Sequence, residues 1–194
     1  MQIENDKKEQ IIIGIDPGTN VLGYSIIELC GKKITLLEMD VLKLGKAEEL
    51  PTKMKIIFDF ILAKIKHYKP DMLAIEAPFF GKNVQSMLKL GRAQGLCIAA
   101  AISRDIPFIE FSPRRIKQSI TGNGAASKEQ VAAMLQRMIK FEYQPEYLDA
   151  TDALAVAVCY AFQKDICPVE TTHRKTKAKS SWSAFVNANP RRIQ

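Results

Sequence analysis

Apolar residues fall along this chain in two rhythms. The first is continuous: Ile11-Ile12-Ile13-Gly14-Ile15 runs without a polar break into Asp16-Pro17-Gly18-Thr19-Asn20. Such a run predicts a strand buried on both faces, and the Pro-Gly pair stops it and turns the chain. Val21 to Leu29 is rich in β-branched and aromatic residues, Cys30-Gly31-Lys32 makes a turn, and Ile34 to Leu42 resumes the strand pattern. Three antiparallel strands joined by tight turns are expected.

The second rhythm has helical spacing. Pro51 suits the first turn of a helix, and Met54, Ile57, Phe58, Ile61, Leu62 and Ile65 then recur every three or four residues. Pro70 breaks it, and Met72-Leu73-Ala74-Ile75-Glu76 repeats the opening theme, a short apolar run that ends in a carboxylate. Asn83 to Ser103 reads as a long helix carrying Gly91, Ala93, Gly95, Ala99, Ala100 and Ala101, small residues suited to packing on the sheet or to a subunit interface. Pro107 to Phe111 forms another strand, Pro113 opens a short helix to Ile120, and Thr121-Gly122-Asn123-Gly124 turns the chain. Ser127 with Gln130 fits a capping box that starts a helix through Phe141, and a final helix spans about Tyr147 to Lys164. Strands followed by alternating helices and strands predict an α/β fold, with a five-stranded mixed sheet flanked by helices.

Composition narrows the class without deciding it. At 194 residues and 47% hydrophobic content the chain is long enough for one domain with a proper core. The net charge of +7 is uneven: residues 165–194 hold six basic and two acidic side chains, which supplies +4 and leaves +3 for the rest. A polyanionic partner is favoured. Residues 11–164 are expected to form the domain, between a polar extension at 1–10 and a basic, flexible tail at 165–194. Cys30, Cys97, Cys159 and Cys167 show neither a C-x-x-C pair nor zinc-ligand spacing, as expected of reduced thiols in a cytosolic protein. No apolar run approaches the roughly 18 residues that span a bilayer, and Met1 to Gln10 is not signal-like, so a soluble, cytoplasmic protein without membrane contact is expected.

The chemistry is carried by four carboxylates. A charged group at a buried strand end caps a turn, joins a hydrogen-bond network or holds a metal. Asp16 and Glu76 each occupy such a position. Asp149 and Asp152, three residues apart in Tyr147-Leu148-Asp149-Ala150-Thr151-Asp152, share one face of the last helix. First-turn aspartates also suit the helix dipole, so either alone says little. None of the four has a neighbouring Lys or Arg in sequence. Two unit charges about 4 Å apart repel by about 4 kcal/mol at an effective dielectric near 20, so converging carboxylates call for cations. All-oxygen donors select hard ions such as Mg²⁺ or Mn²⁺.

Four ordered motifs then carry a family resemblance. Ile15-Asp16-Pro17-Gly18-Thr19, Ile75-Glu76-Ala77-Pro78-Phe79, the run from Lys82-Asn83 through Leu88-Lys89-Leu90-Gly91-Arg92-Ala93-Gln94-Gly95, and Asp149-Ala150-Thr151-Asp152-Ala153-Leu154-Ala155 together resemble the RuvC Holliday-junction resolvases. The likeness runs in register over roughly residues 11 to 162. It implies a ribonuclease H-like fold, a homodimer, and paired nicking of four-way DNA junctions with two Mg²⁺ or Mn²⁺ ions per site. The catalytic and metal-binding carboxylates it implies are Asp16, Glu76, Asp149 and Asp152. Lys117 and Lys128 stand where the family places basic active-site residues, and Phe79 matches an aromatic that stacks on a junction base, with Phe80 beside it as the other candidate. Lys82, Arg114 and Arg115 complete the expected DNA contacts. A partnership with the RuvA-RuvB branch-migration complex is also implied.

Two other readings fit parts of the pattern. Gly14 to Thr19 also resembles the phosphate loop of actin-like and sugar-kinase ATPases, which usually need two such domains and a second glycine-rich motif that this chain lacks. A non-catalytic junction-binding module with structural carboxylates is the other. Turnover of ATP and Mn²⁺-dependent cleavage of a synthetic junction separate the three.

Overall fold

A computed structural model describes residues 9–45, 49–78, 84–141 and 148–166, with 164–166 described by their backbone alone. The Ile run becomes β1 (Gln10–Asp16), followed by β2 (Val21–Cys30) and β3 (Lys33–Lys43). Helix α1 (Leu50–Tyr68) leads to β4 (Met72–Glu76), α2 (Val84–Ile102) to β5 (Phe108–Phe111), and α3 (Pro113–Thr121), α4 (Lys128–Met138) and α5 (Leu148–Ile166) complete the chain. The sheet order is β3-β2-β1-β4-β5, with β1, β2 and β3 antiparallel and β4 and β5 parallel to β1. This is the expected five-stranded mixed sheet. The two crossovers carry helices to one side of it, and the three later helices cover the other.

Strand alternation sorts the core into two halves. Ile13, Ile15, Leu73 and Ile75 pack with Ile57, Ile61 and Ile65 of α1 and Ala93, Cys97 and Ala101 of α2. Ile12, Ala74 and Phe111 pack on the opposite face with Ile116, Leu135 and the apolar run of α5 from Leu154 to Ala161. β1 is paired on both edges and buried on both faces, as its sequence demands.

The same alternation fixes the carboxylates. Asp16 follows Ile12 and Gly14 at steps of two, and Glu76 follows Met72 and Ala74 in the same way, so both side chains emerge on the α5 face. Parallel pairing of Ile15 with Ile75 leaves the two acids side by side at adjacent strand ends.

Helix signals also act where expected. Ser127 Oγ accepts from Gln130 N while Gln130 Oε1 accepts from Ser127 N, closing the capping box of α4. Ser112 caps α3, and Pro113 fills its first turn. The boundary of α4 is the main departure from expectation, since the helix stops at Met138 instead of running to Phe141. Ile139 turns to an extended backbone, φ −131° and ψ 134°, and buries its β-branched side chain in the α5-side core. The small residues of α2 divide between two environments. Ala93, Ala100 and Ala101 are buried against the protein's own core, whereas Gly91 and Gly95 face open space. Cys97 and Cys159 are buried free thiols and Cys30 is half-buried. Cys167, the tail from 167 and the extension before residue 9 lie outside the described residues.

Candidate active site

Helix α5 reaches the sheet because two strand positions carry no side chain. A Cβ on Gly14 would lie 2.3 Å from the carbonyl oxygen of Ala153, and one on Gly23 would lie 1.9 Å from that of Asp149. Any larger residue at either place would push the helix away. Ser25, on the same face of β2, donates its hydroxyl to the Ala153 carbonyl at 3.0 Å and pins the helix at that depth. The first turns of α5 are thereby set over the end of β1. Oxygen atoms of Asp16, Asp149 and Asp152 all lie within 4.8 Å of one another.

Glu76 stands outside that trio but lines the same cavity. This pocket, about 120 Å³, is bounded by Asp16, Glu76 and Asp152 together with Lys117 of α3 and Lys128 of α4. Elements far apart in sequence thus deliver the counter-charge that sequence neighbours do not. Lys128 pairs with Asp152 and lies 3.8 Å from Asp149.

Electrostatics shows that one lysine pair does not balance the site. Burial, then the fields of Glu76 and Asp152, hold the Asp16 carboxyl well above its ordinary range. Burial and the field of Asp152 push Glu76 up to about 7, against the opposing pull of Lys128 and Lys117. Asp152 is also raised by burial, an effect its hydrogen bond with Lys128 only partly offsets. Burial works against the Lys128 ammonium, yet its bond to Asp152 and the nearby acids overcome this and raise it. Carboxyls that resist ionisation beside a polar cavity mark a functional site. The donor set is all oxygen, three donors converge within coordination reach, and negative charge is in excess, so the residues fit a hard divalent cation.

Arg114 and Arg115 are exposed on α3, with the Arg115 guanidinium 5.5 Å from the centre of the Phe111 ring. Phe79, Phe80 and Lys82 lie outside the described residues. The residues that sequence reasoning missed are the positioning ones, Gly14, Gly23 and Ser25. Their only signal was a small side chain in a strand otherwise built of bulky ones.

Comparison with known proteins identifies a family and a fold. The model of the family "Crossover junction endodeoxyribonuclease RuvC" matches residues 12–160. Crossover junction endodeoxyribonuclease RuvC of Cytophaga hutchinsonii is 51% identical over 187 residues, covering 96% of this chain and 89% of the relative. Its counterpart from Bacteroides fragilis is 51% identical over 189 residues, covering 96% and 97%. Among solved structures, Thermus thermophilus RuvC in complex with a Holliday junction substrate superposes with a TM-score of 0.76 at 30% identity, covering 81% of this chain and 96% of that one. A yeast mitochondrial Holliday junction resolvase shares the fold at 15% identity, with a TM-score of 0.59.

Proposed function

The chain belongs to the RuvC family of crossover junction endodeoxyribonucleases, and we propose that it works as a homodimer that resolves four-way DNA junctions by nicking two strands of like polarity. The observation that carries this reading is the acidic cavity at the carboxyl end of β1, where Asp16, Asp149 and Asp152 converge and Glu76 and two lysines complete the lining. Neither rival accounts for it: a structural role does not explain carboxyls gathered at the expense of their own ionisation, and an ATPase needs a second phosphate motif.

Asp16, Glu76, Asp149 and Asp152 are the residues that hold Mg²⁺ or Mn²⁺, two ions in our reading. When bound, the metal supplies an activated water and neutralises charge on the scissile phosphate. Asp16 anchors the arrangement, because β1 is the central strand and its end cannot shift without disturbing both core halves. Lys128 keeps Asp149 and Asp152 oriented and presents a cation to the phosphate oxygens, with Lys117 as a second cation lining the cavity. Hydrolysis adds the water oxygen to phosphorus as one bridging P–O bond breaks, and the leaving oxygen takes up a proton.

A twofold axis relating two such sites explains paired cuts without a second enzyme. The outer face of α2 supports that assembly, since Val84 and Leu88 are 62% and 51% exposed next to the open Gly91 and Gly95. Arg114 and Arg115 extend the basic surface beside the cavity toward DNA, and Phe79, Phe80 and Lys82 are assigned to junction contact. The RuvA-RuvB branch-migration complex is the proposed partner and the cytoplasm the proposed location. No helix among the described residues is long and apolar enough to cross a membrane. Incubating the purified protein with a synthetic four-way junction and Mg²⁺ should give two nicked duplexes, while a linear duplex of the same sequence stays intact. Equal cutting of both substrates would overturn the reading.

A further inference from the structure

A second cleft is larger than the acidic one. It measures about 610 Å³ and lies on the other side of the turn after β1, between that turn, the start of α1 and the first turns of α2. Gly18, Thr19 and Asn20 form one wall, Lys53 of α1 and Lys89 of α2 contribute cations, and no carboxylate is among the described residues that line it.

Lys53 is the unusual member. It occupies the buried stripe of α1 in step with Ile57, Ile61 and Ile65, and is only 7% exposed. Its ammonium donates to the Thr19 carbonyl at 3.3 Å and to Asn20 Oδ1 at 3.2 Å, both neutral acceptors. Buried charges are ordinarily paired with an opposite charge, and an ammonium has three protons to place. Lys53 therefore lines the cleft as an ammonium with two neutral acceptors and no acidic partner among the described residues. Lys89 adds a second positive charge from an exposed position across it.

Position identifies the occupant. Asp16 lines the acidic cavity and Gly18 lines this cleft, and these two lining residues, two apart in sequence, have Cα atoms at most about 7 Å from each other. A nucleic-acid backbone covers such a separation in one or two nucleotide steps. Both clefts open at the carboxyl end of β1, where α/β sheets bind their ligands.

We propose that the cleft between the Gly18–Asn20 turn, Lys53 and Lys89 is a second phosphate-binding site, which holds a non-scissile phosphodiester of the DNA strand whose neighbouring phosphate lies over the carboxylates. The inference rests on the reading of the chain as a junction nuclease. Lys53 grips the phosphate and, through Thr19 and Asn20, the turn that follows Asp16, so engagement of the flanking phosphate is mechanically tied to the metal-bearing strand end. Lys89 closes over the same phosphate from α2.

The test uses full-length protein carrying Asp16→Asn, so that DNA is bound without being cut, with anisotropy of a labelled four-way junction followed across a salt series in Mg²⁺. Each phosphate contact removed should flatten the log-log dependence of binding on salt by about 0.9. Lys89→Gln, which removes an exposed side chain, should flatten it by that amount and leave the thermal midpoint unchanged. Lys53→Gln should flatten it similarly, and Lys53→Arg should restore it. An unchanged slope in Lys89→Gln overturns the site, as does a Lys53→Gln protein whose only change is a lower melting temperature. Loss of preference for the junction over linear duplex in the Asp16→Asn parent would instead count against the junction reading, because the slope is read on either DNA.

Discussion

Two clefts share the turn after β1, and they solve opposite electrostatic problems. On the α5 face, carboxylates are drawn together until burial and mutual repulsion raise Asp16, Glu76 and Asp152 above their ordinary range, with Lys128 as a partial counter-charge. On the α1 and α2 face, a lysine is buried with neutral partners only among the described residues. One side is short of cations and the other of anions. The division follows from strand alternation, since successive residues of β1 face opposite ways and each face receives its own set of helices. Placing both deficits at one strand end makes the edge of the sheet complementary to a metal ion and a phosphate chain at once.

The two faces also differ in how closely their helices approach, and a pair of substitutions exposes this. Gly23→Ala puts a methyl group 1.9 Å from a backbone oxygen of α5, which cannot move aside as a side chain could. We expect a loss of about 3 kcal/mol or more in chemical denaturation, with nicking abolished in whatever fraction folds. Ile57→Val, in the ordinary packing of α1, should cost about 1 kcal/mol and leave nicking intact. Equal effects would remove the distinction between the faces.

Next in size is the split between the lysines. Lys128→Gln should lower the rate of nicking at saturating junction and Mg²⁺ by about 10²-fold, because it removes a cation from the reacting phosphate. Lys89→Gln should weaken binding several-fold while the saturated rate stays near that of the parent. Single-turnover kinetics over a range of protein concentrations separates the two outcomes, and a rate defect in Lys89→Gln would blur the boundary between the clefts.

The smallest effect is on stability, and it belongs to the acidic cleft alone. Glu76 titrates near 7 in the folded chain against an ordinary 4.5, and Asp16 is also raised, so the native state holds more protons than the unfolded chain between those values. In chelator the protein should therefore lose stability as pH rises from about 4.5 towards 7, with the slope carried by these acids. Mg²⁺ should stabilise it more at pH 8 than at pH 5.5. A thermal midpoint in chelator that climbs steadily over that range would contradict this.

Much of the frame was legible in the residues. The Ile run marked β1 as the central strand, and Asp16 and Glu76 stood out as carboxylates at strand ends, although the parallel register that sets them on one face came from the fold. The three-residue spacing of Asp149 and Asp152 was equally plain. What joins the helix to the strand was not: Gly14 and Gly23 are silent in a hydrophobic pattern, and their meaning appears only when a backbone oxygen occupies the place of the missing side chain. Lys128 was named through the family resemblance, but its pairing with acids 21 and 24 residues away along the chain could not be read from spacing. Lys53 was hidden by its own charge. A lysine at the head of an amphipathic helix reads as solvated surface, whereas here it continues the buried stripe of Ile57, Ile61 and Ile65. The end of α4 was overrun because Ile139 satisfies the helical spacing while its backbone turns the side chain into the core.

Asp16 is where the whole account converges, at the end of the central strand, between the two clefts and within reach of both α5 aspartates. The most direct measurement is cleavage of a synthetic four-way junction by Asp16→Asn beside the unaltered protein, with binding followed in parallel. The substituted protein should bind the junction and melt at or above the parent's temperature, because a strained carboxyl has been removed. Its nicking rate should fall by more than the roughly 100-fold that loss of an outer partner to a metal ligand costs. An Asp16→Asn protein that cut the junction at the parent's rate would show that the reacting metal is held elsewhere.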